Sequence, residues 1–178
     1  MKSSIVICLL IILSSCGQNA GENTGPNEQI KFVKYVKSLR DTVNNSEQNK
    51  SLRGVLLENG ISTTKIYVKD SLQMKFNSWQ AKVLEIIDRQ ASKEVNVSIT
   101  LDPTNRSAQK SIVFSSLLDQ SGGKIMEGIK AGDQVKISGT FIEKKGFIDI
   151  DNYSDYKFSK NVFDNPEFKT KLTAIEKL

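Results

Sequence analysis

Alternation of apolar and polar residues along the second half of the chain predicts β-strands. Residues 76–87 place Trp79, Ala81 and Val83 on one side of an extended chain, and Leu84 then breaks the alternation. Such a break is expected where a long strand bulges and bends. Four more strands are predicted at 95–101, 112–114, 134–142 and 147–150. A short turn of helix over 125–129 is predicted between the third and fourth strands.

The pattern becomes helical between residues 28 and 44. Phe32, Val36, Leu39 and Val43 are spaced four, three and four residues apart, which places them on one face of a helix. Basic residues fall on the other sides, at Lys31, Lys34, Lys37 and Arg40. We expect the apolar stripe to pack on the rest of the domain. The alternative is that the basic side lies against anionic lipid headgroups.

An Asn-Gly pair separates two further apolar runs. Asn59 and Gly60 lie between residues 55–57 and 63–68. Asn-Gly between apolar runs is the strongest short-range signal for a β-hairpin. The sequence therefore predicts a two-stranded hairpin, which must pack on a neighbouring unit to be stable.

The first sixteen residues have the anatomy of an export signal. Lys2 supplies a cationic start, and residues 5–13 form an uninterrupted apolar run. As a helix this run rises only about 14 Å, roughly half the thickness of the hydrocarbon core, so it is too short for a permanent span. Residues 1–15 are therefore predicted to be a signal peptide that is removed.

Residues 13–16, Leu-Ser-Ser-Cys, resemble the lipobox of bacterial lipoproteins. The resemblance implies that diacylglycerol is joined to the Cys16 thiol, that cleavage follows Ser15, and that the new amino group is acylated. Two or more acyl chains give stable anchoring where one does not. The alternative is an ordinary secretory signal with a chance cysteine. Gly17 leaves no aspartate retention signal, which favours the outer membrane in a double-membrane host.

Composition narrows the chemistry of the exported chain. The small, polar residues after the cysteine predict a flexible tether over 16–27. Cys8 would leave with the signal and Cys16 would carry lipid, so no disulfide is predicted. The chain has no histidine, the commonest general base and metal ligand. The net charge of the full sequence is +5, and loss of Lys2 with the signal leaves +4, which fits contact with anionic lipid, acidic glycan or nucleic acid and singles out none of them.

Two segments resemble bacterial exported proteins with OB-fold domains of the "tRNA_anti-like" kind. Residues 77–83 (NSWQAKV) are similar to the first strand of such domains, and residues 128–141 (GIKAGDQVKISGTF) to their turn and fourth strand. The resemblance covers about residues 76–175. The expected fold class is mainly β (α+β): a five-stranded OB-fold-like barrel over 71–178, preceded over 28–70 by an amphipathic helix and a small β-hairpin.

The tail, residues 165–178, fits two patterns. Phe168, Leu172 and Ile175 have helical spacing, whereas Phe168, Thr170 and Leu172 alternate as in a strand. The similar OB-fold proteins carry a Pro-Glu-Phe segment here that returns along the barrel. The resemblance therefore favours a strand.

The motifs that could carry chemistry are incomplete. Ser121 and Lys124 have the Ser-x-x-Lys spacing of serine acyltransferases, but glycines lie between them and the partner motifs are missing. Gly-Gly-Lys at 122–124 lacks the spacing of a phosphate loop. An acidic cluster without the features of an EF-hand is formed by Asp149, Asp151, Asn152 and Asp155. We expect a hydrated edge there, and predict no catalytic residue, metal site or cofactor.

The usual ligand positions of OB domains suggest where this barrel would bind. By analogy they are Lys110, Lys124 and Lys136, with the loops 102–109 and 120–124. The analogy concerns position only, so it does not identify a ligand.

Nucleic acid is not the expected partner. The outward positions of the second strand, Asn96, Ser98 and Thr100, offer no ring on which a base could stack. We expect a non-enzymatic, lipid-anchored module of the cell envelope that contacts an envelope protein, a peptide or a glycan. The alternatives are a scaffold or inhibitory subunit of a secretion, conjugation or phage-exclusion system, and a module for single-stranded nucleic acid or an oligosaccharide.

Overall fold

The computed structural model describes residues 25–89, 91–101, 110–119, 122–144, 147–148, 150–151 and 161–178. Two helices come first, α1 (Asn27–Asn44) and α2 (Lys50–Ile66), and a π-helical turn (Tyr67–Ser71) continues α2. The strands are β1 (Lys75–Arg89), β2 (Ser92–Thr100), β3 (Ser111–Asp119), β4 (Gln134–Phe141), β5 (Glu143–Lys144), β6 (Phe147–Ile148), β7 (Ile150–Asp151) and β8 (Glu167–Lys177). Turns of 3-10 helix precede β4 and β8, at Gly122–Met126 and Val162–Asp164.

Five of these strands close into a barrel. β1 pairs antiparallel with β2 and with β4, β2 pairs antiparallel with β3, and β4 pairs antiparallel with β8. Parallel pairing of β3 with β8 closes the ring. The fold is an OB-fold-like barrel of the α+β class, mainly of strands and preceded by helix, as the sequence predicts.

The strand that closes the barrel differs from the predicted one. Sequence analysis places the fifth strand at 147–150, but within the described part of the chain Phe147–Ile148 pairs with Glu143–Lys144, and Ile150 pairs with Phe168 of β8 in the two-residue strand β7. The barrel is closed by β8 (Glu167–Lys177), which confirms the strand predicted for the tail. The eleven residues of β8 reach both β3 and β4, whereas a two-residue strand forms too few ladder hydrogen bonds to join them.

The long strand β1 bends as predicted. Its pairing register with β2 shifts between Val83 and Glu85, so Leu84 lies in a bulge with its side chain 45% exposed. On the inner side of β1, Trp79, Ala81 and Val83 are buried. The bulge is where β1 leaves β4 behind and continues along β2 alone.

An aromatic cluster fills the barrel. Its members come from β1, β3, β4 and β8, and each is at most 3% exposed: Phe76, Trp79, Phe114, Phe141 and Phe168. Phe32 of α1 packs among them, with its ring centroid 5.4 Å from that of Trp79 and 5.6 Å from that of Phe168. Helix α1 thus plugs the barrel, and both share one hydrophobic core.

A side-chain amide fastens α1 to the barrel wall. Gln29 Nε2 donates to the carbonyl oxygen of Gln80 at 2.7 Å, and the Gln80 N–H donates to Gln29 Oε1 at 2.8 Å. Gln29 is 2% exposed, and this pair of bonds satisfies both ends of its amide. The amide therefore extends β1 as a neighbouring strand would.

The predicted hairpin is wrong, because residues 55–68 are helical. Asn49 caps α2 by accepting a hydrogen bond from the Leu52 N–H at 3.0 Å. Leu57, Ile61 and Thr64 then recur at helical spacing and are buried. Gly60 lies inside the helix with the Phe163 ring against it, so close that an added Cβ would lie 2.7 Å from Phe163 Cε2. Packing has overridden the local preference of Asn-Gly for a turn.

One basic residue of α1 also departs from the prediction. Arg40 is only 9% exposed, on the inner side of the helix, and its guanidinium donates to Asp41 Oδ1 at 2.8 Å. The carbonyl of Arg40 accepts a hydrogen bond from Asn161 Nδ2 at 2.9 Å. The Asn161 Oδ1 in turn accepts from the Phe163 N–H, so one amide joins the end of α1 to the approach of β8.

The turn before β4 is held by a carboxylate. Asp133 Oδ2 accepts from the Lys130 N–H at 2.9 Å, and Asp133 Oδ1 pairs with Lys177 Nζ at 2.9 Å. The hydrogen bond from Lys177 and then that from the Lys130 backbone lower the pKa of Asp133. Gly132 takes the left-handed conformation, with φ of +92°, that the turn requires.

Replacing Asp133 with asparagine should make the free energy of unfolding less dependent on pH in the acidic range. A carboxyl with a depressed pKa stabilises the fold above its ordinary pKa of about 3.9, and this contribution is lost as pH falls through the folded-state value. Urea unfolding should show Asp133→Asn less stable than wild type at pH 6, with a smaller difference at pH 3. Asn59→Ala, at an exposed and uncharged position of α2, is the control, since it changes no titrating group. A difference for Asp133→Asn that is equal at both pH values would contradict the assignment.

Candidate binding surface

The interior of the barrel is occupied by protein. Five aromatic side chains from the strands and Phe32 from α1 fill it, and all are buried. Barrels of about eight strands have room either for side chains or for one small ligand, and a five-stranded barrel is narrower. A ligand of this barrel must therefore bind on its outer surface.

The outward side of β2 and β3 carries polar side chains beside two apolar ones, since Val113 lies opposite Ser98 and the outward Leu117 is 63% exposed. Lys82 of β1 lies opposite Ser98 of β2, and Asn96 of β2 lies opposite Ser115 of β3. Ser98 and Ser115 are only 8% and 3% exposed although they alternate with the core residues of their strands. They are therefore recessed below the surface. We call the outward side chains of Lys82, Glu85, Asn96, Ser98, Ser115 and Lys169 the polar face.

One charged side chain of the polar face, Lys169, forms an ion pair, and within the described residues none is formed by Lys82 or Glu85. Asn96 Nδ2 donates to Glu85 Oε1 at 2.8 Å. Lys169 Nζ pairs with Glu167 Oε1 at 2.7 Å and also lies 3.4 Å from Ser115 Oγ. Asn96 Oδ1 is buried and accepts no hydrogen bond from the described residues. The polar face thus combines recessed hydroxyl groups and one buried, unused acceptor with the exposed ammonium group of Lys82.

The three lysines predicted as ligand contacts lie apart. Lys110 precedes β3 and pairs with Asp164 Oδ2 at 2.5 Å, so it is engaged within the fold. Lys124 lies beyond the other end of β3, a strand whose nine residues span about 30 Å. Lys136 is exposed on β4, which is two strands away from β2. The structure does not bring them into one site, and a binding role for each stays a prediction.

Several predicted features lie outside the described residues. They are Ser15 and Cys16, the loop 102–109, Ser121, Asp149, Asn152 and Asp155. Among the residues that are described, no group of three or more His, Cys, Asp or Glu could hold a metal ion. Ser115 and Lys169 escaped sequence analysis, because only the parallel register of β3 with β8 brings them together.

Two side chains have pKa values that are shifted by the packing of the helices. Burial raises the pKa of Tyr67, whose ring stacks on Tyr35 with centroids 4.5 Å apart, and the proximity of Tyr35 and Glu28 adds to the shift. Burial also lowers the pKa of Lys65. Both residues lie near the end of α2, and neither belongs to the polar face. These shifts therefore give no evidence of a catalytic group.

No helix within the described ranges is both long and apolar enough to cross a bilayer. Comparisons of the chain with protein-family models, with curated proteins and with solved structures find no match. The surface chemistry of the barrel and the pattern of residues 1–27 are therefore the basis for assigning a function.

Proposed function

We propose that this chain is a lipid-anchored, non-enzymatic binding module of the cell envelope. Its partner would be an envelope protein, a peptide or a glycan that lies along the polar face. The observation that carries the proposal is a barrel filled by its own aromatic side chains, with recessed serines and an unused acceptor on its outer side. The lipobox-like Leu-Ser-Ser-Cys at 13–16 supports the membrane anchor.

The chemistry of the polar face favours a ligand with neutral hydrogen-bonding groups. In this proposal the Asn96 amide turns outward on binding, so that Oδ1, which is buried in this structure, accepts from an N–H or O–H of the ligand and no longer lacks a partner. Peptide backbones and sugars carry such donors. A polyanion would need several unpaired cations and stacking rings. The polar face has one such cation, Lys82, because Lys169 is paired with Glu167, and none of its six side chains is aromatic, which weakens that alternative.

Site-specific photocrosslinking in native envelope tests the proposal. A benzophenone amino acid at Lys82 should form one or a few discrete adducts, whereas the same group at Thr173, exposed on the outer side of β8, should not. Asn96→Leu should weaken the adducts at position 82, because it removes the acceptor offered to the ligand. Identical adduct patterns from positions 82 and 173, or none from either, would contradict a ligand on the polar face.

A further inference from the structure

The two helices present one common outer side. Tyr35 of α1 contacts α2 through a hydrogen bond from its hydroxyl to Thr63 Oγ1 at 2.9 Å and by stacking on Tyr67, while Leu39 approaches Gly60. As the residue numbers of these contacts increase along α1, those of their partners decrease along α2, so the helices are antiparallel. Because each helix buries its opposite face in the shared core, their exposed faces point away from the barrel together.

This outer side combines lysines with exposed apolar side chains. On α1 it carries Lys31 and Lys34, which are exposed. On α2 it carries Leu52, Val55 and Ile66, which are 47%, 55% and 55% exposed. Their spacing of three and eleven residues places all three on one stripe of the helix. We call these five residues the outer helical surface.

Exposed apolar side chains are concentrated on α2. Of the seven large apolar side chains that are exposed in the described structure, three lie on this stripe. Asn59 and Ser62 lie between them on the same side of α2. Separated apolar residues of this kind lack the continuous core of a stable protein interface. They suit a lipid interface, where single apolar side chains enter between headgroups beside lysines.

We propose that the outer helical surface rests on an anionic lipid bilayer and orients the barrel above it. The inference depends on the proposed anchor at Cys16. Helix α1 begins at Asn27, eleven residues after that cysteine, and a chain of this length spans at most about 40 Å. The start of α1 is thereby held near the bilayer, and the antiparallel packing brings Ile66 to the same end. Lys31 and Lys34 complement anionic headgroups there.

Fluorescence of the lipidated full chain in vesicles tests this orientation. A thiol-reactive fluorophore is placed at Val55→Cys, or at Thr173→Cys as the control, in vesicles of phosphatidylcholine and phosphatidylglycerol. We expect emission from position 55 to be blue-shifted and quenched several-fold more by brominated lipid than emission from position 173. The double substitution Lys31→Glu and Lys34→Glu should return quenching at position 55 to the control level, and Lys171→Glu on β8 should not.

Each outcome bears on the inference. Equal quenching at positions 55 and 173, or no response to the lysine substitutions, would overturn it, as would shielding of position 55 only when a protein partner co-purifies. The mass of the amino-terminal peptide from the same sample reports the anchor separately. An acylated protein with position 55 in water would overturn the orientation alone, whereas a bare amino terminus would overturn the proposed function. Unchanged circular dichroism would show that the variants are folded.

Discussion

Replacing Phe32 with alanine should lower the free energy of unfolding by about 3–5 kcal/mol, the usual cost of deleting a buried ring. The Phe32 side chain is fully buried, and its ring lies within 6.0 Å, centroid to centroid, of those of Tyr67, Trp79, Phe141 and Phe168. The barrel strands hold most of these partners in place, so the cavity should collapse only in part. The loss would loosen the helices and the barrel together.

Urea unfolding followed by two signals measures this effect. Trp79 is the single tryptophan and lies in the barrel, so its fluorescence reports on the strands, while far-ultraviolet circular dichroism reports on the helices as well. Both signals should shift to lower urea in Phe32→Ala and should stay coincident. Leu52→Ala, at an exposed position of α2, is the control and should change stability by less than about 0.5 kcal/mol. A cost below about 1 kcal/mol for Phe32→Ala would contradict the role of α1 as a plug.

Replacing Gly139 with alanine should cost about 3 kcal/mol, at the upper end of the range for overpacking. An added Cβ would lie 2.5 Å from the Lys171 carbonyl oxygen and 2.7 Å from Phe76 Cζ. The carbonyl belongs to the β4–β8 ladder, whose register shifts between Ser138 and Gly139. Relief of the clash would require strands of the closed barrel to separate.

Gly128→Ala provides the matched control for this substitution. Gly128 has φ of +76° and nothing within 4 Å of an added Cβ. Its replacement should cost only about 1 kcal/mol, from the unfavourable left-handed conformation. Thermal or urea unfolding of both variants gives the comparison. Equal losses of unfolding free energy at the two positions would show that close packing is not the reason why Gly139 resists replacement.

Strand alternation made most of the barrel predictable. Val95, Val97 and Ile99 alternate with polar residues and are buried as expected. The break at Leu84 correctly marked the bulge, because an apolar residue out of phase cannot point into the core. Helix α1 was predictable for a similar reason, since its apolar stripe extends over about three turns.

The features that sequence analysis did not predict depend on residues that are far apart in the chain. Gly60 looks like a turn residue until Phe163, more than a hundred positions later, is seen to need its missing side chain. No sequence pattern distinguishes Gln29 from other polar residues. Its role in joining α1 to β1 is seen only in the two hydrogen bonds between its side-chain amide and the backbone of Gln80. The polar face likewise depends on register across four strands. A periodic pattern along one segment contains no information on such pairings.

Filling the barrel has a consequence for how the proposed module works. Because Phe32 closes the core, ligands can bind only to the outer surface. The recessed Ser98 and Ser115 lie on strands, whereas the outer helical surface lies on α1 and α2. One side could therefore rest on lipid while the polar face stays accessible to a partner. This division of surfaces is a proposal that the crosslinking and fluorescence experiments test independently.

The most direct test of the anchor is the mass of the native amino-terminal peptide, released by protease from protein purified out of membranes. The account predicts a peptide that begins at Cys16 and carries a diacylglyceryl group on sulfur and an acyl group on nitrogen. A peptide that retains residues 1–15, or one that begins at an unmodified Cys16, would contradict it.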